Sequence, residues 1–210
     1  FKNGFVKKGG KIVKEIYPPL GNNDFSPYLA DIRSMNVPAT YNFYAGTDAV
    51  RFVKQYDEYG LKGKTKLTGS GFMVESDTLP AQGKSALGVL SSLHYADTLD
   101  NAENKKFVAD YRAKFNEFPS VYSEYGFIAA RIIEETLKAT DGNTQDKDKL
   151  RAAMLAVKLN APRGPFRFNP QTQGPIHNVY IREVAEVDGR ITNKVIQTFK
   201  DVAEPPTKTS

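Results

Sequence analysis

A chain of 210 residues, 40% hydrophobic and 25% charged, can bury one large or two small cores, and no run in it approaches the ~18 apolar residues that a membrane span needs. The absence of cysteine excludes disulfides, thiolate nucleophiles and cysteine-ligated metals together. The net charge of +5 is spread over scattered lysines (Lys7, Lys8, Lys11, Lys14, then Lys62, Lys64, Lys66, then Lys147 and Lys149), which reads as solvated surface rather than a nucleic-acid stripe. The first residue is Phe1 rather than Met, and residues 2–10, KNGFVKKGG, read as the end of a helix capped by glycines, followed by a strand over 11–17. That beginning is expected of a fragment or a processed chain, with at least one strand and one helix upstream and any signal peptide in that upstream part.

Residues 24–72 predict helix, strand, helix, strand and a glycine-rich turn. Ser26 is read as an N-cap with Pro27 in the first turn, Tyr28, Ile32 and Met35 fall on one face, and Pro38 stops the helix. A short strand follows over 39–44. Gly46 and Thr47 open a second helix in which Ala49, Phe52, Val53 and Tyr56 face inward, with Gly60 at its C-cap. Residues 66–72 complete the unit with a strand and a Gly-Ser-Gly turn. Such alternation builds a parallel sheet, whose strand ends are where ligands bind.

Further on, residues 100–118 carry an acidic start (Asp100, Glu103) and core-facing Phe107, Tyr111 and Phe115, the spacing of an amphipathic helix ended by Pro119. Ser120 opens a longer helix on which Tyr125, Ile128, Ala129, Ile132, Ile133, Thr136 and Leu137 keep one rhythm. Asp141, Gly142 and Asn143 make a turn, and 148–159 predict a helix with Leu150, Met154 and Val157 on one side. The texture then alternates over 163–168 and 176–187, turns at Asp188-Gly189, and alternates again over 191–199, before an extended or disordered tail from Ala203.

No catalytic residue, metal ligand or cofactor is expected. His94 and His177 are far apart in sequence, outside any metal or nucleophile motif, and read as structural or surface histidines. Gly69-Ser70-Gly71 lacks the lysine and spacing of a phosphate loop, and the acidic pairs Glu134-Glu135 and Asp146, Asp148 fall on helix surfaces or in a loop. The candidate ligand positions are the turns after strands, Ala45-Gly46-Thr47 and Gly69 to Phe72, where helix-start N–H groups hold anions and small residues allow close approach. From the residues alone, tight turns and a Thr47 cap account for them equally well.

The segments GGKIV, YPPLGNNDFSPYLADI, YAGTDAVRFVKQYDEYGL, LTGSGF, FVADYRAKF, PSVYSEYGFIAARII and RGPFRFNPQTQGPIHNVYIREV follow in an order that resembles the periplasmic leucine/isoleucine/valine-type solute-binding proteins of ABC transporters, from Phe1 to about Phe199. The resemblance implies an α/β, type I periplasmic binding protein-like fold: a parallel-sheet C-terminal lobe plus an incomplete, mainly helical N-terminal-lobe portion. The implied layout is 1–95 in the C-terminal lobe, 96–174 in the N-terminal lobe, 175–202 returning as a hairpin, and 203–210 as tail. It also implies an extracytoplasmic location, a small-molecule solute and permease subunits as partners, hinge closure, and no enzymatic activity. The apolar faces of the helical half, including Ile128, Ile132 and Ile133, should be partly uncovered, which favours self-association.

Matched to the family pattern, Ala45 or Gly46 stands where the amino-acid binders carry a tyrosine, and Gly71 where they carry the glutamate that pairs with the ligand ammonium. A buried ammonium without a carboxylate partner is costly, so a carboxylate-bearing non-amino-acid solute, an aromatic acid among them, is favoured. The expected ligand-binding residues are Tyr44, Ala45, Gly46, Thr47, Ser70, Gly71, Phe72 and Tyr95, with Tyr44, Phe72 and Tyr95 as aromatic walls and the Thr47 hydroxyl and its helix start holding the carboxylate. Two rival classes share these features: a ligand-sensing domain of a receptor or regulator, and an α/β enzyme with its catalytic residues in the missing segment.

Overall fold

A computed structural model of the chain describes residues 1–204. In chain order it forms α1 (Lys2–Lys7), α2 (Ser26–Met35), β1 (Ala39–Asn42), α3 (Gly46–Glu58), β2 (Lys66–Ser70), a 3₁₀ turn (Gly71–Val74), α4 (Leu79–Gln82), a second 3₁₀ turn (Gly83–Ala86) and β3 (Leu90–Leu93). The second half supplies α5 (Ala102–Phe115), α6 (Val121–Ala139), α7 (Lys147–Ala156), β4 (Lys158–Ala161), β5 (Gly164–Phe168), β6 (Pro175–Val187) and β7 (Arg190–Ala203).

One sheet runs β1-β2-β3-β6-β5-β4, with β7 on the other side of β6. β1, β2 and β3 are parallel, as the helix–strand alternation requires, and everything beyond β3 is antiparallel. β6 is the axis of the molecule. Tyr180 to Glu183 pair with β3, His177 and the residues before it pair with β5, and β7 follows β6 along nearly its whole length. The β6–β7 register slips between His177 and Val179 and again between Ile181 and Arg182, which bends the hairpin where it passes from one neighbour to the other. Its turn, Asp188-Gly189, has φ of +51° and +75°, the left-handed pair that a two-residue hairpin demands.

The apolar residues gather in three clusters. Phe25, Leu29, Phe52, Val53, Tyr56 and their neighbours lie under β1–β3, Leu93, Tyr95, Phe107 and Val121 join β3 to α5 and α6, and Ile128 packs on Ala161 and Phe166.

Most helices match the sequence expectation, with local chemistry adjusting the ends. All four predicted inward residues of α3 are buried. α2 includes Ser26 rather than being capped by it, and the Asp24 carboxylate accepts the Ser26 N–H at 2.9 Å. α5 starts two residues after Asp100 because Asn101 caps it, accepting from the Asn104 N–H at 2.8 Å, and ends at Asn116 in the left-handed region. Phe115, expected in the core, is exposed. α7 begins at Lys147, after its Asp146 cap, and ends at Ala156, both earlier than expected, since residues 158–161 pair with β5 as β4 instead of continuing the helix.

The strand expected over 11–17 is not formed: β1 is the end strand of the sheet, and no described residue supplies those backbone groups with a ladder partner. Conversely β7 runs past Phe199 to Ala203, which pairs with Ile176. The tail expected from Ala203 therefore starts later, and residues 205–210 lie outside the described residues.

Candidate functional site

Because Asn42 lies opposite Gly69 and Ser70 opposite Ser92, the three parallel strands end along one edge. The residues that follow each strand, Phe43 to Thr47, Gly71 and Phe72, and His94 and Tyr95, share that edge, the ligand side of an open α/β sheet. The start of α6 is pinned to it: Glu75 accepts the Val121 N–H through Oε2 at 2.8 Å, a carboxylate at the positive end of a helix.

These segments bring six rings into a continuous arc. Phe43 meets Phe72 edge-on at 6.2 Å between centroids, Phe72 stacks on Tyr122 at 6.1 Å, and Tyr122 meets Tyr125 at 6.4 Å. Tyr125 lies 5.1 Å from His94, which stacks on His177 at 4.8 Å. Phe43, Tyr122 and Tyr125 are 67%, 50% and 36% exposed, so the arc offers open aromatic surface. The two histidines read from sequence as unrelated are neighbours, because β3 and β6 pair.

The arc ends on a buried polar group. Arg163 binds Glu124 through Nε (2.8 Å) and Nη2, lies 5.2 Å from the Tyr125 ring centroid, and points Nη1 at His177 Nδ1, 3.2 Å away. Burial first, and then the Arg163 charge, pulls the His177 imidazole down to about 4. Burial with the charges of Arg163, His177 and Arg182 takes His94 to about 2, and His94 Nε2 is buried with no hydrogen-bond partner.

A second buried ion pair backs the other end of the edge. Fully buried Arg182 donates to Glu75 Oε1 at 2.7 Å, to the Tyr95 carbonyl at 2.8 Å, to the Gly71 carbonyl at 3.0 Å and to Ser91 Oγ at 3.3 Å. Burial raises the Glu75 carboxyl while the Arg182 charge and the Val121 N–H work against it. A Cβ on Gly71 would fall 2.5 Å from both Arg182 Nη2 and Leu93 Cβ, so the glycine is required by the guanidinium packed against it.

The eight expected ligand residues divide. Ala45, Gly46 and Thr47 lie exposed at the start of α3, with Gly46 at φ +55° and no side chain capping the helix, so the expected Thr47 cap is not made. Ser70 and Phe72 face the edge, with Phe72 in the arc. Gly71 is buried on Arg182. The Tyr44 ring turns into the core against Phe25 and Phe52 rather than standing as a wall, and burial pushes its hydroxyl to about 12. Tyr95 likewise packs edge-on to Phe107 with its hydroxyl unpartnered, and burial raises its pKa. Two surface depressions, of about 450 Å³ around Asp97 to Arg112 and about 370 Å³ around Tyr56 and Lys62, contain none of the eight.

Sequence reasoning missed His94, His177, Tyr122, Arg163, Glu124, Glu75 and Arg182. Two of them left a local signal. Arg182 stands in the inward phase of β6 between buried Tyr180 and Val184, and Glu124 in the inward phase of α6 between Val121 and Ile128. A charge in a buried phase announces a buried partner. Among the described residues no group of three or more His, Asp or Glu is arranged to hold a metal, and no helix is long and apolar enough to cross a membrane.

A family model described as "Periplasmic binding protein" matches residues 1–190. The Leu/Ile/Val-binding protein homolog 6 of Brucella melitensis biotype 1 is 36% identical over 216 residues, covering 99% of this chain and 54% of its own length. A solute-binding protein of an ABC transporter from Rhodopseudomonas palustris BisB5, solved in complex with 3,4-dihydroxybenzoic acid, superposes with a TM-score of 0.90 at 36% identity, over 97% of this chain and 56% of that one. Another solute-binding protein from R. palustris, solved in complex with benzoate, gives 0.85 at 32% identity over 96% and 55%. The chain spans about half the length of the curated relatives it matches.

Proposed function

The chain belongs to the periplasmic binding protein family, with the type I α/β fold, and from that premise we propose that it is part of an extracytoplasmic solute-binding receptor of an ABC importer whose ligand is an aromatic carboxylic acid. The solute lies between two lobes, 1–95 with 175–202 forming one and 96–174 contributing to the other, and closure of the lobes presents it to the permease subunits. One apolar cluster lies wholly within 1–95 and 175–202 and another wholly within 96–174, which supports this division, and a third, with Leu93, Tyr95, Phe107 and Val121, joins the two parts. The receptor binds and releases its ligand unchanged.

The observation that carries the reading is the open arc of rings along the strand-end edge, beside a Gly71 whose side-chain space is filled by a guanidinium. Flat ligand rings stack on such a surface. Meanwhile the Gly71 and Tyr95 carbonyls, which could have accepted from an ammonium, are both turned onto Arg182. The ligand carboxylate sits at the uncapped start of α3, where N–H groups, the Thr47 hydroxyl and Ser70 hold it. The two relatives solved with benzoate and 3,4-dihydroxybenzoic acid support the same class.

A thermal-shift screen of the full-length gene product against aromatic acids, aliphatic acids and amino acids tests it. Benzoate or its hydroxylated derivatives are expected to raise the melting temperature, since a ligand bound only by the folded state stabilises it. Stabilisation by leucine or valine alone would overturn the reading.

A further inference from the structure

We propose that His94 and His177 form a hydrogen-bonding subsite for the ring hydroxyl of a hydroxylated aromatic acid, at the closed end of the aromatic arc. The inference deepens the aromatic-acid reading and rests on it.

The tautomer of His177 follows from its neighbour. A guanidinium has only donors, so with Arg163 Nη1 at 3.2 Å the His177 Nδ1 is the acceptor and the ring proton sits on Nε2. Arg163 is itself held by the Glu124 carboxylate and the face of Tyr125, which locks that arrangement. His94 stacks on His177 with the rings 12° from parallel, and its buried Nε2 has no partner, an arrangement that is costly unless a bound group completes it.

The charge environment selects the kind of group. Glu124 and Arg163 neutralise each other, and both imidazoles remain neutral at physiological pH, so His177, whose Nδ1 is taken by Arg163, offers its Nε2–H as a donor, and neutral His94 offers one donor and one acceptor. A hydroxyl, which donates and accepts, suits such a pair. A carboxylate only accepts and an ammonium only donates. Tyr125, next to His94 in the arc, places a stacked ligand ring beside the two imidazoles. Unsubstituted benzoate would use the arc but leave His94 Nε2 unpaired.

The test is calorimetric titration of the full-length gene product with benzoate and with 3,4-dihydroxybenzoate, comparing wild type with His94→Phe and His177→Phe, which keep a ring in the stack. Wild type is expected to bind the dihydroxy acid about tenfold more tightly than benzoate, the value of about one hydrogen bond, and in the variants the ratio of the two affinities is expected to fall toward one. Binding of both acids with an unchanged ratio in the variants overturns this inference alone. No binding of either acid to wild type overturns the aromatic-acid reading and this inference with it. Should the variants fail to fold, ¹⁵N spectra of the wild-type imidazoles decide. The His94 Nε2 resonance is expected to move with the dihydroxy acid and not with benzoate, and an unmoved resonance refutes the subsite.

Discussion

Gly71 and Arg182 share one volume, and neither can be understood without the other. The missing side chain at 71 is where the guanidinium goes, and the guanidinium is tolerable in the core only because Glu75, Ser91 and two carbonyls meet its donors. Breaking a buried pair from one side leaves an uncompensated charge, so Arg182→Met is expected to cost about 3–5 kcal/mol in denaturant unfolding. Adding Glu75→Gln, which keeps an acceptor for the Val121 N–H, should recover a large part of that loss. A double variant as unstable as the single one would mean that the charge on Glu75 is not what makes the arginine indispensable. The family resemblance implies a lost carboxylate at position 71, and the fold fills the side-chain space there with the Arg182 guanidinium.

At the scale of elements, α6 organises the site because its first turn holds Tyr122, Glu124 and Tyr125 against three other segments. Ser120 fixes where that turn begins, in a capping box with Ser123. Ser120→Ala is expected to cost about 1 kcal/mol in thermal or denaturant unfolding, with faster amide exchange confined to the first turn of α6. An unchanged exchange rate there would show that Glu75, bonded to the Val121 N–H, suffices as a cap. Caps and periodicity are local, which is why α3, α6 and the β6–β7 hairpin were legible in the sequence. β3 and β4, of four residues each, were not. A strand that short has too few alternations to stand out by itself: β1, equally short, was legible because Pro38 and Gly46 bracket it, whereas β3 and β4 are defined by their partners. Residues 11–17 teach the converse, since a strand-like pattern without a partner stays unladdered.

Across the whole molecule, the outer face of α6 is left bare. Ile128 is buried on β4 and β5 and Phe127 packs on Phe107, but Ile133 is 53% exposed, and Leu137, one turn on, is also uncovered. A stripe of that kind seeks a partner surface, so this 210-residue chain prepared alone is expected to associate as its concentration rises, and Ile133→Lys to shift it toward monomer in light scattering. A monomer at every concentration would show that the stripe is too small to drive pairing. The amino-acid sequence by itself determined the α/β class, the helices with their caps, the hairpin turn and the glycine-bearing strand ends, because each depends on residues within a turn or two of one another. Tertiary structure alone decided that Phe43, Phe72, Tyr122, Tyr125, His94 and His177 form one surface, and that Arg182 meets Glu75 from 107 residues away. Those groups come from separate segments brought together by the crossing of β6 past β3 and β5, and no local pattern can encode a contact that exists only once the strands have paired.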